Sequence, residues 1–205
     1  FNFYFLEFAS QKEVKNNYYR QFGKAIYWSD FTDVFNLLET IKPNKVVFFY
    51  IESFFHVSLN IGCRLKGIKT LHLEHGIRDL NINVRLERHL PKSFTTNAAG
   101  ELLKKIFQFK SRVKARLFLL NTLKCLPSTE AQKLKEFIEV RKQNGYLDSV
   151  KKASQSLLIT DLFISYSPSV FAVHQYYHKL NASFPVKYIG IPLYDNLFSA
   201  LQINR

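Results

Sequence analysis

The segment Lys45–Arg78, KVVFFYIESFFHVSLNIGCRLKGIKTLHLEHGIR, restricts the fold more than any other part of the chain. Val46-Val47-Phe48-Phe49-Tyr50-Ile51 is a continuous apolar run of the length expected for a strand buried on both faces. Glu52-Ser53 breaks it. A helix-like segment then runs to about Lys66, ends at Gly67, and gives way to a second strand, Lys69-Thr70-Leu71-His72-Leu73. Strand, helix and strand within about 30 residues form a βαβ unit, which closes only as a parallel pair with a right-handed crossover. Parallel sheets bind ligands outside the carboxyl ends of their strands. Glu52 and the cluster Glu74-His75-Gly76-Ile77-Arg78 stand at two such ends, so the chemistry is expected there.

The rest of the chain keeps an α/β rhythm with one interruption. Further strands are expected at Phe3–Phe8, Ala25–Trp28, Asp161–Ser167 and Val186–Ile191. Gln11–Gln21 is polar and reads as helical. Ser29-Asp30 offers an N-cap for a helix that places Phe31, Val34, Phe35, Leu38 and Ile41 on one face and stops before Pro43. Asp79–Thr96 is polar and irregular and reads as a loop on the active side of the sheet. Ala98–Leu126 reads as a long helix whose apolar positions Leu102, Ile106, Phe109, Val113, Leu117 and Leu120 are spaced by four and three. Pro127 ends it, Ser128 caps a helix over Glu130–Gln143, and a third helix runs from about Leu147 to Leu157. Pro168 sits at the first turn of the helix after the Asp161–Ser167 strand, where its missing N–H costs nothing. The expected fold is α/β, a Rossmann-like parallel sheet flanked by helices, as a single domain over 1–205 with an α-helical insertion near 97–157.

Composition narrows the function classes. With 47% hydrophobic and 22% charged residues the chain is a folded globular protein. Its apolar runs fall short of the ~20 residues a spanning helix needs. Cys63 and Cys125 make no disulfide framework or metal pattern, which suits a cytosolic chain with incidental thiols. His72 and His75 lack the further ligands of a metal site, and neither a Gly-rich phosphate loop nor a nucleophile elbow is present, so no metal or cofactor is expected. The formal charge of +13 calls for an anionic partner: nucleic acid, an anionic membrane surface or a phosphorylated substrate. It is concentrated in Lys104, Lys105, Lys110, Arg112, Lys114, Arg116 and Lys124. Nucleic acid is not expected, because the aromatics fall in core-like runs rather than on a stacking platform.

Two stretches carry a family resemblance. DLFISYSPSVFAVHQYYHKLNASFPVKYIGIPLYD, residues 161–195, resembles the end of the N-terminal domain of GT-B glycosyltransferases and their relatives. There a strand ending in a hydroxyl and a helix precede a strand of the type V-x-G-x-P-x-x-D, matched here by Gly190, Pro192 and Asp195. His72-Leu73-Glu74-His75-Gly76-Ile77-Arg78 is similar to the His-Val-Glu-Ala-Gly-Leu-Arg motif of the non-hydrolysing UDP-N-acetylglucosamine 2-epimerases, which share the GT-B fold. Glu52-Ser53 stands where those enzymes have an acidic residue and Thr. Glu87 is near the spacing of a further loop Glu, although Arg85-Leu86-Glu87-Arg88 does not match its surroundings. Epimerases have a small residue in place of His75. His-Gly after this strand instead resembles transferases that build surface polysaccharides and teichoic-type polymers, in which a histidine is positioned as base for the acceptor hydroxyl. The resemblance covers most of the chain except the basic helical insertion.

What the resemblance implies is the acceptor-binding half of a glycosyltransferase in bacterial surface polysaccharide biosynthesis. It takes sugar from a nucleotide-activated donor and passes it to a carbohydrate or lipid-linked acceptor. The donor would be held by a second α/β domain that the 205 residues do not include, leaving them inactive alone. His75 is the expected base, as an unperturbed imidazole titrates near the working pH; otherwise it bonds a loop carbonyl. Gly76 lets the backbone approach a sugar or phosphate. Glu74 and Glu52 hold sugar hydroxyls or serve in acid–base steps, or else pair with Arg78 or cap a helix. Arg78, Ser53, Ser165, Ser167 and Glu87 are candidate substrate contacts, though hydroxyls at strand ends commonly just cap. His72 reads as a core histidine, and Gly190, Pro192 and Asp195 as hinge geometry. The basic helix 98–126 has two readings. The plainer is an apolar stripe packed on the domain; the other is a helix lying on anionic lipid, at the inner face of the membrane. A nucleotide-sugar 2-epimerase and a non-catalytic basic module binding membrane or nucleic acid are the competing functions.

Overall fold

The computed structural model describes residues 2–7, 18–74, 109–144, 149 and 152–190, and within them an α/β protein whose strands all pair in parallel. They divide between two compact units. The first unit holds strands β1 (Tyr4–Glu7) and β2 (Lys24–Tyr27) and helices α1 (Val34–Ile41) and α3 (Phe109–Cys125). The second holds β3 (Lys45–Phe48), α2 (Phe54–Leu65), β4 (Lys69–Leu73), β5 (Leu162–Ser165), α5 (Pro168–His178) and β6 (Val186–Tyr188). Helix α4 (Ser128–Gln143) is shared, its residues through Lys135 belonging to the first unit. No helix among the described residues is long and apolar enough to cross a membrane.

In the first unit β1 and β2 run in register from Tyr4 opposite Lys24 to Glu7 opposite Tyr27. A Cβ on Gly23 would lie 2.5 Å from the Phe3 carbonyl oxygen, so only glycine fits where β2 starts against β1. The helix expected after Ser29-Asp30 begins later. Phe31 is extended, and Asp33 is the N-cap, its Oδ1 accepting from the amides of Phe35 at 2.9 Å and Asn36 at 3.0 Å. A carboxylate that satisfies two orphan amides beside the positive helix end outcompetes the earlier candidates. Helix α1 stops before Pro43, as expected, with Lys42 in the left-handed region at φ 50°.

Helix α3 packs with a different face from the one expected. Phe118 is buried and meets Trp28 edge-on, ring centroids 5.1 Å apart. Thr122, also buried, accepts at Oγ1 from the Val34 amide at 3.1 Å and so satisfies another N–H at the start of α1. The stripe Phe109, Val113, Leu117 and Leu120, expected to pack on the domain, is exposed. Both faces of α3 carry apolar residues, and the one that meets Trp28 is the one that is buried.

In the second unit the strand order is β3-β4-β5-β6. Phe48 lies opposite His72, His72 opposite Phe163, and Phe163 opposite Val186. The βαβ unit read from Lys45–Arg78 is thus present as β3-α2-β4, and α2 ends as expected where Gly67 takes φ +67°. The run Val46–Ile51 is not buried on both faces. Phe48 and Ile51 are buried, but Val47 is 50% and Phe49 51% exposed. Among the described residues β3 is an edge strand with β4 as its one neighbour, so it lacks the two-sided cover of a central strand.

Candidate active site

The face that β4 turns inward is polar. Thr70, His72 and Glu74 are buried, whereas Leu71 and Leu73 are only half-buried. Each inward residue meets a residue of the β5 segment two positions apart from the last, as the period of a strand requires. At the amino ends, Asp161 Oδ2 accepts from the Thr70 amide at 2.7 Å and from the Thr70 hydroxyl at 3.0 Å. In the middle, His72 stacks on Phe163 with centroids 4.1 Å apart and planes 15° from parallel. At the carboxyl ends, the Ser165 hydroxyl donates to Glu74 Oε2 at 2.6 Å.

Glu74 gathers three more bonds. The Tyr166 amide donates to Oε2 at 3.1 Å, His174 Nε2 lies 2.8 Å from Oε1, and the Glu74 amide donates to the Ile164 carbonyl at 3.0 Å. Only 4% of the residue is exposed. Burial pushes its carboxyl up, but the hydrogen bonds from His174, Ser165 and the Tyr166 amide together outweigh it and hold the group below its ordinary value. Glu74 is therefore an ionised carboxylate inside the protein. With Glu74 ionised, His174 Nε2 carries a proton, and its buried Nδ1 makes no hydrogen bond among the described residues. Helix α5 delivers His174 on the face it shares with Phe171 and His178. Phe171 packs on Phe163, and the His178 ring lies parallel to that of His174 at 6.1 Å.

The second strand end is a tight turn into α2. Ser53 is the N-cap, its Oγ accepting from the His56 amide at 3.2 Å, and the Glu52 amide points at His56 Nδ1 at 3.4 Å. His56 stands edge-on to Tyr50, centroids 5.1 Å apart. Burial of its imidazole lowers its pKa to about 4, so it is neutral at physiological pH.

The expected residues thus sort by place. Glu74 and Ser165 are bonded to each other. Ser167 caps α5, accepting from the Val170 amide at 3.3 Å, and its carbonyl lies 3.3 Å from the Ser165 hydroxyl. Glu52 and Ser53 stand at the end of the β3 segment, where Ser53 caps α2. His72 is a core histidine. Gly190 adopts φ +68° just past β6. His75, Gly76, Arg78 and Glu87, with Pro192 and Asp195, lie outside the described residues, as do the loop 79–96 and the first part of the expected helix 98–126.

His174 and His56 were not among the candidates. The spacing Phe171, His174, His178 is a helical stripe and marks His174 as inward-facing. Its partner, 100 residues upstream, leaves no trace in local pattern. Among the described residues no group of three or more His, Cys, Asp or Glu is placed to hold a metal ion. A shallow cavity of about 210 Å³, lined by Arg64, Thr70, Ser156, Ile159, Thr160 and Asp161, lies at the amino ends of β4 and β5, away from Glu74. Ligands of parallel sheets bind at the other end. Chemically, the Glu74 cluster is an anchor: both carboxylate oxygens are engaged, and the backbone leaving β4 is fixed by charge-assisted bonds at the residue before His75.

Comparison with family models, with curated proteins and with solved structures finds no match to this chain.

Proposed function

We propose that this chain is the acceptor-binding domain of a GT-B type glycosyltransferase of surface polysaccharide assembly, acting in the cytoplasm. The donor is a nucleotide sugar held by a second α/β domain. The acceptor hydroxyl oxygen attacks the anomeric carbon, the bond from that carbon to the nucleoside diphosphate breaks, and the hydroxyl proton passes to the imidazole of His75.

The observation that supports this is the anchored Glu74 at the carboxyl end of β4, one residue before His75-Gly76-Ile77-Arg78. A base must be held within hydrogen-bond reach of its proton, and a fixed strand end is how a parallel sheet supplies such a residue. Because both Glu74 oxygens are occupied, its part is to position the segment that follows rather than to touch sugar. Glu52 remains the acidic candidate at the neighbouring strand end.

The test is product analysis with the full-length protein and UDP-N-acetylglucosamine, with and without a polysaccharide acceptor. The proposal expects a glycosidic product that requires acceptor. Inversion at C2 with no acceptor present would give the site to an epimerase instead.

A further inference from the structure

We infer that helix α3 docks the protein onto the surface of an anionic lipid bilayer, with Phe109, Val113, Leu117 and Leu120 entering the interface. These four side chains are 65%, 39%, 51% and 52% exposed. At about 100° per residue they fall within an arc of roughly 80°, on the side of the helix opposite Phe118 and Thr122. The stripe is continuous over roughly 17 Å at 1.5 Å per residue. Four large apolar side chains in one exposed row mark an interaction surface.

The charge on the same helix identifies the partner. Arg116 lies at one margin of the stripe and Lys124 within its arc, one turn beyond Leu120, and both are exposed. The sequence of Phe109–Cys125 contains Lys110, Arg112, Lys114, Arg116 and Lys124 and no acidic residue, in a chain of net charge +13. A partner must accept hydrocarbon along the stripe and offer negative charge beside it. Nucleic acid supplies phosphates but no bed for Leu117 and Leu120. An anionic bilayer supplies both, and a helix of this kind lies in the plane of the interface rather than across it. Residues of α3 alone carry this inference, which is independent of the Glu74 site.

Co-sedimentation of the full chain with vesicles is the test. One set is phosphatidylcholine alone, and the other contains about a third phosphatidylglycerol. Expected is binding to the anionic vesicles at least about tenfold stronger than to the neutral ones, falling as salt is raised to about 0.5 M. Leu117→Ser/Leu120→Ser and, separately, Arg116→Glu/Lys124→Glu should each weaken it by about tenfold or more. All four positions are exposed, so circular dichroism and the thermal midpoint should stay unchanged. Equal sedimentation with both vesicle sets, or folded variants that sediment like the parent, would overturn the inference. So would self-association abolished by Leu117→Ser/Leu120→Ser in a chain that binds no vesicles, which would assign the stripe to a second copy. The charge variant keeps the test decisive if the leucine variant does not fold.

Discussion

The Ser165 hydroxyl donates to Glu74 Oε2 at 2.6 Å, joining the carboxyl ends of β5 and β4 through their side chains. Asp161 and Thr70 do the same at the amino ends, so the two central strands are clamped twice on one face, each time by an acid on one strand and a hydroxyl on the other. Between the clamps His72 stacks on Phe163. This polar ladder fixes where β4 ends and therefore where the segment from His75 begins.

Ser165→Ala removes a hydrogen bond to a buried charge, and the expected cost is about 1.5–3 kcal/mol of stability. In a double-mutant cycle with Glu74→Gln the two changes should couple by about 1 kcal/mol or more, since they share one bond. Urea unfolding measures all four corners. Simple additivity would show that the two side chains do not act together.

How far the sequence discloses this ladder depends on the residue. Apolar runs reveal the strands, Pro43 and Gly67 reveal two helix ends, and Ser53 stands at a cap that its residue type suggests. The inward face of β4 is the opposite case. His72 reads as a core histidine and is buried, but nothing local marks Thr70 and Glu74 as buried on the same face, because their partners lie about 90 residues away and no local period reports them. Helix α3 fails for a related reason. It carries apolar residues on two faces, and the position of Trp28, outside the helix, selects which is covered. The Asp33 cap was hidden among several suitable acceptors within a few residues, and only the geometry around Phe35 and Asn36 chooses between them.

Acid should act on the fold in two stages. His56 has its pKa lowered from 6.5 to about 4, so the unfolded chain binds its proton first and stability is lost as pH falls from 6.5 toward 4. The pKa of Glu74 is also lowered in the fold, so its contribution is complete above its ordinary value of 4.5 and is lost as pH falls through the lowered one. Thermal midpoints against pH should therefore decline in the His56 window, and His56→Leu should flatten that part while leaving the loss at lower pH that follows Glu74. An unchanged slope in His56→Leu would mean that His56 is not buried as described.

The two thiols should differ in reactivity. Cys63 is buried, and burial, reinforced by the nearby Asp161 charge, pushes its pKa up to about 12, whereas Cys125 is exposed. Only the thiolate reacts. Titration of the native chain with Ellman's reagent should modify Cys125 promptly and spare Cys63 until denaturant is added, with peptide mapping to locate the label. Prompt labelling of Cys63 would contradict the packing of α2.

The most direct test of the proposed function is the rate of sugar transfer by the full-length protein carrying His75→Ala. Loss of a general base should lower kcat by about 10²–10⁴-fold with the fold intact. Glu74→Gln, acting through the position of the same segment, should lower it less. A His75→Ala enzyme that transfers sugar at the parent rate would contradict the assignment of the site.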